Sequence, residues 1–356
     1  MTTRRLYAWG ANSYSQLGLD KQSEYELPTE VKINIQDIKK ICGGARHTII
    51  LDGSGDLHIA GKSEFSTTGY EGTFKRLELN KKFKDVVCGF DMTAAFTDDN
   101  KLLVWGNNRN NQLGCPNMSV IKEPMELSLP DNETPIDIQF GLKHTAILTM
   151  SRHIFIVGLL KHFKNDKNAS YKIVEHNSIE WLQLIPNVII TENDITHFVC
   201  GQNHISYVID RHVIYAHGDN KFGQCSHIET SEKIMKFESA WTHNGYLTES
   251  NSLFLYGRNN YGQLGTGNKN LNEIITPQKC SIFPVNDFAL GAEHGILKSG
   301  LDIYTWGWNE HRNCGHDIDD DIIEPKLLHL CSQISEIVSV IAGAGFCMVL
   351  LETCDK

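Results

Sequence analysis

Two short units recur along the chain, and their spacing constrains the fold more than any other feature of the sequence. One reads apolar-x-apolar-Trp-Gly-x-Asn-x-x-x-Gln-Leu-Gly and is clearest at residues 7–18, 104–114 and 255–265. The other reads Gly-x-x-His and precedes an apolar run rich in β-branched and aromatic residues. From the histidine position to the next Trp-Gly glycine there are 13 or 14 residues in six cases: 47 to 61, 92 to 106, 144 to 158, 204 to 218, 243 to 257 and 294 to 307. A constant separation across a polar centre predicts a β-hairpin whose turn fixes the strand register.

Six of these hairpins are continuous in the chain, and the two ends supply the halves of a seventh. Residues 346–351 repeat the apolar half without a following partner, and residues 6–9 repeat the Trp-Gly half without a preceding one. Pairing the two halves closes a ring in which no strand edge of that hairpin stays exposed. We therefore predict an all-β fold, a seven-bladed β-propeller closed by pairing of the N- and C-terminal strands. It forms a single domain, residues 1–356, with about 51 residues in each blade.

The fourth repeat departs from the pattern. After Gly158 the chain lacks the Asn and Gln-Leu-Gly positions, and 60 residues separate Gly158 from Gly218. We predict a degenerate fourth repeat at about 158–200. Two interpretations stay open for residues 159–194, a relaxed surface loop or a partner site carried by the rigid scaffold, because binding residues concentrate on loops.

Composition restricts the functions that this chain can serve. Acidic residues outnumber basic ones, 43 to 33, for a formal net charge of −10, so the basic surface that nucleic acids require is missing. No run approaches the roughly 18 apolar residues of a membrane helix, and we expect no membrane insertion and no signal peptide. The ten cysteines form no C-x-x-C pair, and several align with small or apolar residues of other repeats. We expect thiols in a reducing compartment.

The two units together resemble the regulator-of-chromosome-condensation repeat family over nearly the whole chain. The resemblance rests on Gly, Asn, Gln-Leu-Gly and Gly-x-x-His recurring together at fixed spacing. Residues 8–14 and 306–311 are similar to a secretion-regulating branch of that family. The resemblance implies a cytoplasmic protein that could also enter the nucleus, exchange activity on a small GTPase, and contact with exocyst-type secretion machinery.

Three functions remain open after this resemblance. The one we favour is a protein-interaction propeller that binds a small GTPase, exocyst-type machinery or both, and that is monomeric by itself. The second is an active guanine nucleotide exchange factor, although no wedge of the kind the family inserts at the nucleotide site is recognisable in residues 115–137. The third is a nuclear chromatin-associated propeller. Acidic charge disfavours it, and only Arg4 and Arg5 stand where the family's chromatin-bound member has a basic tail.

No covalent catalysis, cofactor or metal site is expected. The repeated histidines occupy equivalent positions of different blades, so they should be spread around a ring and not converge on one ion. These histidines are His47, His144, His204, His243 and His294. Hydrogen bonds to the adjacent loop backbone would explain them. A second group, at residues 311–317, is close in sequence, but its Cys314 aligns with a repeated core leucine. No Gly-x-x-x-x-Gly-Lys-Ser/Thr loop for nucleotide phosphates occurs.

The loop after the seventh Trp-Gly unit is the predicted partner contact. Residues 308–312 replace the usual stretch with bulkier groups, and residues 316–321 form the densest acidic run. Trp and Arg often dominate binding energy at interfaces, and clustered acids steer a basic partner surface. We add Trp181, an isolated tryptophan of the fourth repeat, to these loop residues. The predicted partner-binding residues are Trp308, Asn309, Glu310, His311, Arg312, Asp319, Asp320, Asp321 and Trp181. A solvated loop with Trp308 packed against its neighbours is the alternative.

Overall fold

Seven antiparallel sheets stand around a common axis, one for each predicted blade. The structure is a computed structural model that describes residues 2–35, 37–62, 72–185, 195–268 and 272–354. Blade 1 begins with β1 (Thr2–Ala11) and β2 (Tyr25–Val31). Blade 2 holds β3 (Ile38–Gly43), β4 (His47–Asp52), β5 (Leu57–Gly61) and β6 (Lys75–Arg76). Blade 3 holds β7 (Phe83–Cys88), β8 (Met92–Thr97), β9 (Leu102–Asn107) and β10 (Val120–Glu126).

Blade 4 has five strands and the other blades have four. Blade 4 holds β11 (Pro135–Phe140), β12 (His144–Thr149), β13 (Ile154–Gly158), α1 (Lys161–Lys164), β14 (Ser170–His176) and β15 (Ile179–Ile185). Blade 5 holds β16 (Ile195–Cys200), β17 (His204–Ile209), β18 (Val213–Gly218) and β19 (Ile228–Glu229). Blade 6 holds β20 (Ile234–Ser239), β21 (His243–Thr248), β22 (Leu253–Arg258) and β23 (Glu273–Lys279). Blade 7 holds β24 (Asp287–Leu290), β25 (His294–Ser299), β26 (Asp302–Gly307) and β27 (Ile322–Leu328), and β28 (Ile334–Ala342) and β29 (Phe346–Cys354) return to blade 1.

The two ends of the chain close the ring, which confirms the predicted architecture. In blade 1 the strand order is β2-β1-β29-β28, and β1 pairs with β29 without interruption from Thr2 opposite Cys354 to Gly10 opposite Phe346. In each sheet one end strand lies nearest the axis and contacts its counterparts on both sides; these strands are β28 in blade 1 and β3, β7, β11, β16, β20 and β24 in blades 2 to 7. The predicted propeller with seven blades is therefore present, and its seam lies inside one sheet.

The strand register explains the constant spacing of the two units. Each histidine position opens a second strand and pairs with the glycine that ends the third strand, as His47 pairs with Gly61 and His144 with Gly158. Gly61 has a φ of +91°, and a Cβ on it would lie 2.3 Å from the carbonyl oxygen of Arg46. Only glycine fits such a position. The separation of 13 in blade 7 comes from a two-residue turn between β25 and β26.

The core lies between blades, because each sheet packs one face on each neighbour. In β1, Leu6 and Ala8 belong to a cluster shared with blade 2, whereas Tyr7 and Trp9 belong to one shared with blade 7. This alternation follows from the strand period of two. Second strands such as β8, β12 and β21 are buried along their whole length. Among the described residues no helix is long and apolar enough to cross a membrane.

The Gln-Leu-Gly loops join each blade to the next one. The carbonyl oxygen of Gln16, in the blade 1 loop, accepts a hydrogen bond from the Thr48 hydroxyl of blade 2 at 2.7 Å. The carbonyl oxygen of Gln263 accepts from Trp306 Nε1 of blade 7 at 2.8 Å. Trp9 Nε1 in turn donates to the carbonyl oxygen of Asn313, at 3.0 Å, so the blade 7 loop is attached to blade 1.

The degenerate repeat forms a packed segment, so the relaxed-loop interpretation does not describe residues 160–185. Strand β15 pairs with β13 in the outer position of blade 4, and β14 adds a fifth strand outside it. In the chain segment that connects β13 to β14, the side chains of Leu160 and Phe163 are buried. The remainder of the predicted segment, residues 186–194, lies outside the described residues.

Candidate protein-binding face

Strand direction sorts the connections onto two faces of the propeller. The loop face carries the Gly-x-x-His turns near the axis and the loops that follow the third strands, such as residues 12–24 and 308–321. The hairpin face carries the turns between second and third strands and the outer ends of β1 and β29. A cavity of about 210 Å³ opens at the centre of the loop face, and Phe90 and Trp241 line it with their ring centroids 5.8 Å apart.

Asn309 shapes the blade 7 loop from inside. Its side chain is buried, its Nδ2 donates to the carbonyl oxygen of Ile318 at 2.8 Å, and its Oδ1 accepts from the Cys314 N–H at 3.0 Å. The repeated asparagines Asn108 and Asn259 accept a bond from the equivalent N–H in their own loops. The prediction of Asn309 as a contact residue is thus corrected, because its polar atoms hold the loop and its surface is covered.

Arg312 is likewise committed within the loop. It is 8% exposed, its Nε donates to Asp317 Oδ1 at 3.3 Å, and its Nη2 donates to Asp319 Oδ1 at 2.7 Å. Its guanidinium carbon lies 4.9 Å from the ring centroid of Tyr25 in blade 1. The arginine predicted as a binding residue therefore partly neutralises the acidic run and fastens this loop to the neighbouring blade.

The remaining predicted residues of this loop keep exposed surface. Trp308 is half-buried and meets the His311 ring edge-on, with the centroids 5.4 Å apart, and Glu310 is exposed beside them. In the acidic run, Asp319 points outward although Arg312 binds it, and Asp320 is exposed. Asp321 accepts a hydrogen bond from the backbone N–H of Asn309 at 3.3 Å. Trp308, Glu310, His311 and the aspartates thus form one patch.

Trp181 is not part of that patch. It lies on β15 with 0% exposure, in the core cluster that blade 4 shares with blade 3, and its ring packs edge-on against Phe155. A side chain without exposed surface has nothing to offer a partner, so Trp181 is corrected to a core residue.

A cluster of aromatic and cationic side chains that the sequence analysis did not single out lies beside the blade 7 loop. The Arg258 guanidinium carbon is 5.1 Å from the ring centroids of both Phe222 and Tyr261. Lys221 Nζ lies 5.0 Å from the Phe222 centroid. We name these four residues, Lys221, Phe222, Arg258 and Tyr261, the cation–aromatic cluster. Contacts of this kind contribute on the order of 0.5–1 kcal/mol each at exposed sites and hold the side chains in place.

Glu293 joins the cation–aromatic cluster to the blade 7 loop. Its carboxylate is buried and accepts from Gln263 Nε2 at 2.6 Å, from the Thr242 hydroxyl at 2.9 Å, and from Arg258 NH1 at 3.5 Å. Its carbonyl oxygen accepts from the Trp308 N–H at 2.8 Å. Burial raises the pKa of Glu293. One buried residue therefore contacts both groups, and together they form a surface across blades 5, 6 and 7.

A repeat signal could have found this cluster. The residue two positions before the repeated glutamine is aromatic in three loops, as Tyr14, Phe222 and Tyr261. In each case its backbone N–H donates to the Oε1 of that glutamine at 2.8–2.9 Å. The glutamine thus fixes the backbone at the aromatic position of each of these three loops on the loop face.

The repeated histidines are buried inside the propeller, one in each of blades 2, 4, 5, 6 and 7. His47 Nε2 lies 3.0 Å from the hydroxyl of Thr93, and His204 Nε2 lies 3.2 Å from Asn244 Oδ1, so these two rings reach side chains of the next blade. The sequence predicted hydrogen bonds from these histidines to the adjacent loop backbone. At His47 and His204 the ring nitrogen instead reaches a side chain of the neighbouring blade. Within the part of the chain that the structure describes, no three His, Cys, Asp or Glu side chains gather as a metal site would require.

Acid should destabilise the fold through these histidines. Burial lowers their pKa to about 4 for His47, His204 and His294 and to about 3 for His144 and His243. The folded state therefore prefers the neutral rings, whose pKa is about 6.5 when the chain is unfolded. Their contribution to stability is complete above about pH 6.5 and is lost as the pH falls toward 4, at about 1.4 kcal/mol per histidine and pH unit.

Denaturant unfolding at a series of pH values measures this effect. We expect the midpoint to fall steeply between pH 6.5 and pH 4.5, with a shallower slope in His204→Met, since methionine already occupies the equivalent position at Met92. Burial raises the pKa of Glu293, and it raises that of Asp137 to about 6. The contribution of these two carboxyl groups to stability therefore grows as the pH falls, opposite to that of the histidines. Because the carboxyl groups are the same in both proteins, a His204→Met midpoint that depends on pH as steeply as that of the parent would contradict the histidine explanation.

Residues 115–137, in which no exchange wedge is recognisable from the sequence, form ordinary blade elements in the structure. Residues 115–137 are all described, and they form strand β10, a short 3-10 helix at Pro130–Asn132 and the start of β11. No paired hairpin projects from this part of the chain. Any element that reaches a bound nucleotide would have to come from another part of the surface.

Comparison with known proteins places the chain among propellers of one type. The sequence profile of the RCC1-like domain matches residues 5–349. A bovine protein named secretion-regulating guanine nucleotide exchange factor is 29% identical over 91% of this chain and 78% of its own length. The mouse protein of the same name is 26% identical over 98% of this chain and 83% of its own length.

A solved structure supports the fold independently. The crystal structure of Prp20p from Saccharomyces cerevisiae superposes with a TM-score of 0.82, at 17% identity, over 99% of this chain and 92% of that one. At this identity the likeness concerns the propeller itself, including its seven blades.

Proposed function

Since this chain belongs to the family of RCC1-like domains, we propose that it is a protein-interaction propeller that binds a small GTPase through its loop face. The observation that carries the proposal is the surface formed by Trp308 and the cation–aromatic cluster around Glu293. It is rich in the residue types that dominate binding energy, and hydrogen bonds to the buried Glu293 attach it to the propeller. Two relatives that cover more than nine-tenths of this chain carry the name of an exchange factor.

A component of exocyst-type secretion machinery is the further partner that we propose, in the cytoplasm. The names of the bovine and mouse relatives refer to secretion, which supports this choice. The net charge of −10 disfavours the alternative of a chromatin-associated propeller, because DNA is itself a dense polyanion.

Catalysed nucleotide release is the second candidate function, and the names of the same relatives favour it. By thermodynamic linkage, a protein that weakens nucleotide binding must itself bind best to the GTPase without nucleotide. A panel of small GTPases, each tested with GDP, with a GTP analogue and without nucleotide, therefore separates the two functions. A binding propeller should prefer a loaded state over the empty one and should not accelerate the release of fluorescent GDP. An exchange factor should prefer the empty state and accelerate release.

Loss of the Trp308 side chain should weaken the complex with such a partner. We expect Trp308→Ala to dissociate faster by about tenfold or more at any salt concentration, because an aromatic anchor contributes about 2 kcal/mol or more at an interface. Surface plasmon resonance measures the rate. The matched control is Leu301→Ala, since Leu301 is half exposed in the same blade on the hairpin face. Equal dissociation of both variants would remove Trp308 from the interface.

The acidic run should act on association. Replacing Asp319, Asp320 and Asp321 together by asparagine should slow association at low salt only, because the Debye length shrinks from about 10 Å at 0.1 M to about 3 Å at 1 M salt. Asp320→Asn alone is the cleaner variant, since Asp319 binds Arg312 and Asp321 binds the Asn309 N–H. Asp98→Asn with Asp99→Asn, in a turn of the hairpin face, serves as the control. An association rate of the triple variant that matches the parent at every salt concentration would contradict steering by this run.

A further inference from the structure

Two cysteines of neighbouring blades meet beside the cavity at the centre of the loop face. Cys42 lies near the end of β3 in blade 2, and Cys88 ends β7 in blade 3. Their Sγ atoms are 2.7 Å apart, about 0.65 Å more than a covalent S–S bond of about 2.05 Å. Both side chains are only partly buried, and Cys88 lines the cavity on the loop face.

The contact comes from a pair of positions that faces each other at another junction too. Between blades 6 and 7 the equivalent residues are Glu238 and Leu290, and the Glu238 carboxylate accepts a hydrogen bond from the Leu290 N–H at 2.8 Å. Between blades 4 and 5 they are Gln139 and Cys200. The junction of blades 6 and 7 thus brings these two positions into contact as the junction of blades 2 and 3 does, and blades 2 and 3 place a thiol at both.

We propose that Cys42 and Cys88 form a reversible disulfide that links blade 2 to blade 3, with a peroxide as the oxidant. The junction is already held by the Arg46–Asp91 ion pair, with Nε 2.8 Å from Oδ1, and by the bond from the Ala45 N–H to the Phe90 carbonyl oxygen at 2.9 Å. Formation of the S–S bond therefore needs only a small approach of two strands that are already fixed side by side. Disulfides in reducing compartments are typically transient and of this sensing kind.

The reaction takes two electrons from the two sulfurs. The thiolate of one cysteine attacks hydrogen peroxide, an S–O bond forms, the O–O bond breaks, and the hydroxide released takes up a proton to leave as water. The second sulfur then attacks the sulfenic acid, the S–S bond forms, and a second water carries away the oxygen and the thiol proton. Two thiols and one hydrogen peroxide thus give one disulfide and two waters, and a thiol reductant reverses the product.

Surrounding groups set the pH dependence of this reaction. Burial, followed by the neighbouring Cys42, raises the pKa of the Cys88 thiol, while the Lys40 ammonium opposes that shift. Lys40 itself is held by Asp85 at 2.7 Å. Because the thiolate is the reactive form, oxidation should quicken as the pH rises from 7 to 9.

Peptide mapping of the folded full-length chain tests the proposal. The reduced protein is treated with hydrogen peroxide, remaining thiols are blocked with N-ethylmaleimide, and trypsin digestion follows without reductant. Cleavage after Lys40, Arg46, Lys84 and Lys101 releases Cys42 in residues 41–46 and Cys88 in residues 85–101. We expect these two peptides joined with the loss of two hydrogen atoms, and separated again by a reductant.

Cys200 is the internal control, because it occupies the position of Cys88 and lines the same cavity, while the position of Cys42 in the preceding blade is Gln139 and not a thiol. We expect Cys200→Ser to leave the linked peptides unchanged, and Cys42→Ser or Cys88→Ser to abolish them. The unsubstituted chain decides the question without any variant. If Cys42 and Cys88 are each recovered blocked or singly oxidised, as Cys200 is, under peroxide that oxidises other thiols of the chain, the proposal is wrong.

Discussion

A chain that lacks residues 1–9 should be insoluble, or should melt at least about 10 °C below the parent. The deletion removes most of β1, which pairs with β29 on one side and β2 on the other. The outer strand β2 then has no sheet to join, and β29 becomes an open edge ready for aggregation. Trp9 is also lost, although it is fully buried and bonded to Asn313 of the blade 7 loop. Loss of a buried tryptophan alone costs about 3–5 kcal/mol.

A circular permutant separates ring closure from the loss of residues. Joining residue 354 to residue 2 by a short linker, and opening the chain in the exposed turn at residues 150–152, keeps every strand and moves the seam into blade 4. We expect this permutant to be soluble and to melt near the parent temperature in a thermal scan. A deleted chain that melts like the parent would contradict closure by the termini.

Phe163→Ala should lower the free energy of unfolding by about 3–5 kcal/mol. Phe163 is 1% exposed and packs edge-on against the His144 ring, with the centroids 4.8 Å apart. Just beyond it, Asp166 Oδ2 accepts the Gly218 N–H at 3.1 Å and lies 3.4 Å from His217 Nδ1, so the segment is attached to blade 5. In blade 4 this turn takes the place of the Gln-Leu-Gly loop, whose leucine is buried in other blades, as Leu113 is.

The same reasoning extends to the whole segment. Replacing Leu160 to Ser170 by a short linker should cost more than Phe163→Ala, because it also removes the Asp166 contact and the buried Leu160. Ile173→Ala is the control, since Ile173 is 46% exposed on the outermost strand, and such surface changes stay within about 0.5 kcal/mol. Denaturant unfolding compares the three. Parental stability of the linker variant would mean that this turn does not hold blades 4 and 5 together.

Much of the propeller could be predicted from spacing alone, because the pairing of His47 with Gly61 recurs wherever both units survive. The fifth strand of blade 4 was missed for a different reason. Its turn, Asn177–Ser178, has positive φ at both residues and stands between two alternating strands, which is a hairpin signal. The repeat pattern does not extend to this segment, so only the local hairpin signal could predict the added strand.

The candidate site was less predictable, since a residue type does not reveal which way the side chain points. The composition of the blade 7 loop identified Trp308 and Arg312 alike, yet one keeps exposed surface and the other is committed to Asp317 and Asp319. The same holds for Trp181, whose isolation in the sequence says nothing of its place in the core. The cation–aromatic cluster depends on residues of two blades, and only the fold brings Phe222 to Arg258.

The seam within blade 1 has a practical consequence for handling the molecule. Thr2 and Cys354 are paired and leave the sheet at the hairpin face, opposite the surface that holds Trp308 and Arg258. A fluorophore, an affinity tag or a sensor chip attached at either end therefore projects away from the loop face and leaves it open to solution. The same label grafted into the loop that follows β22 would cover it. Orientation on a surface can thus be chosen by the point of attachment, without altering any contact inside the ring.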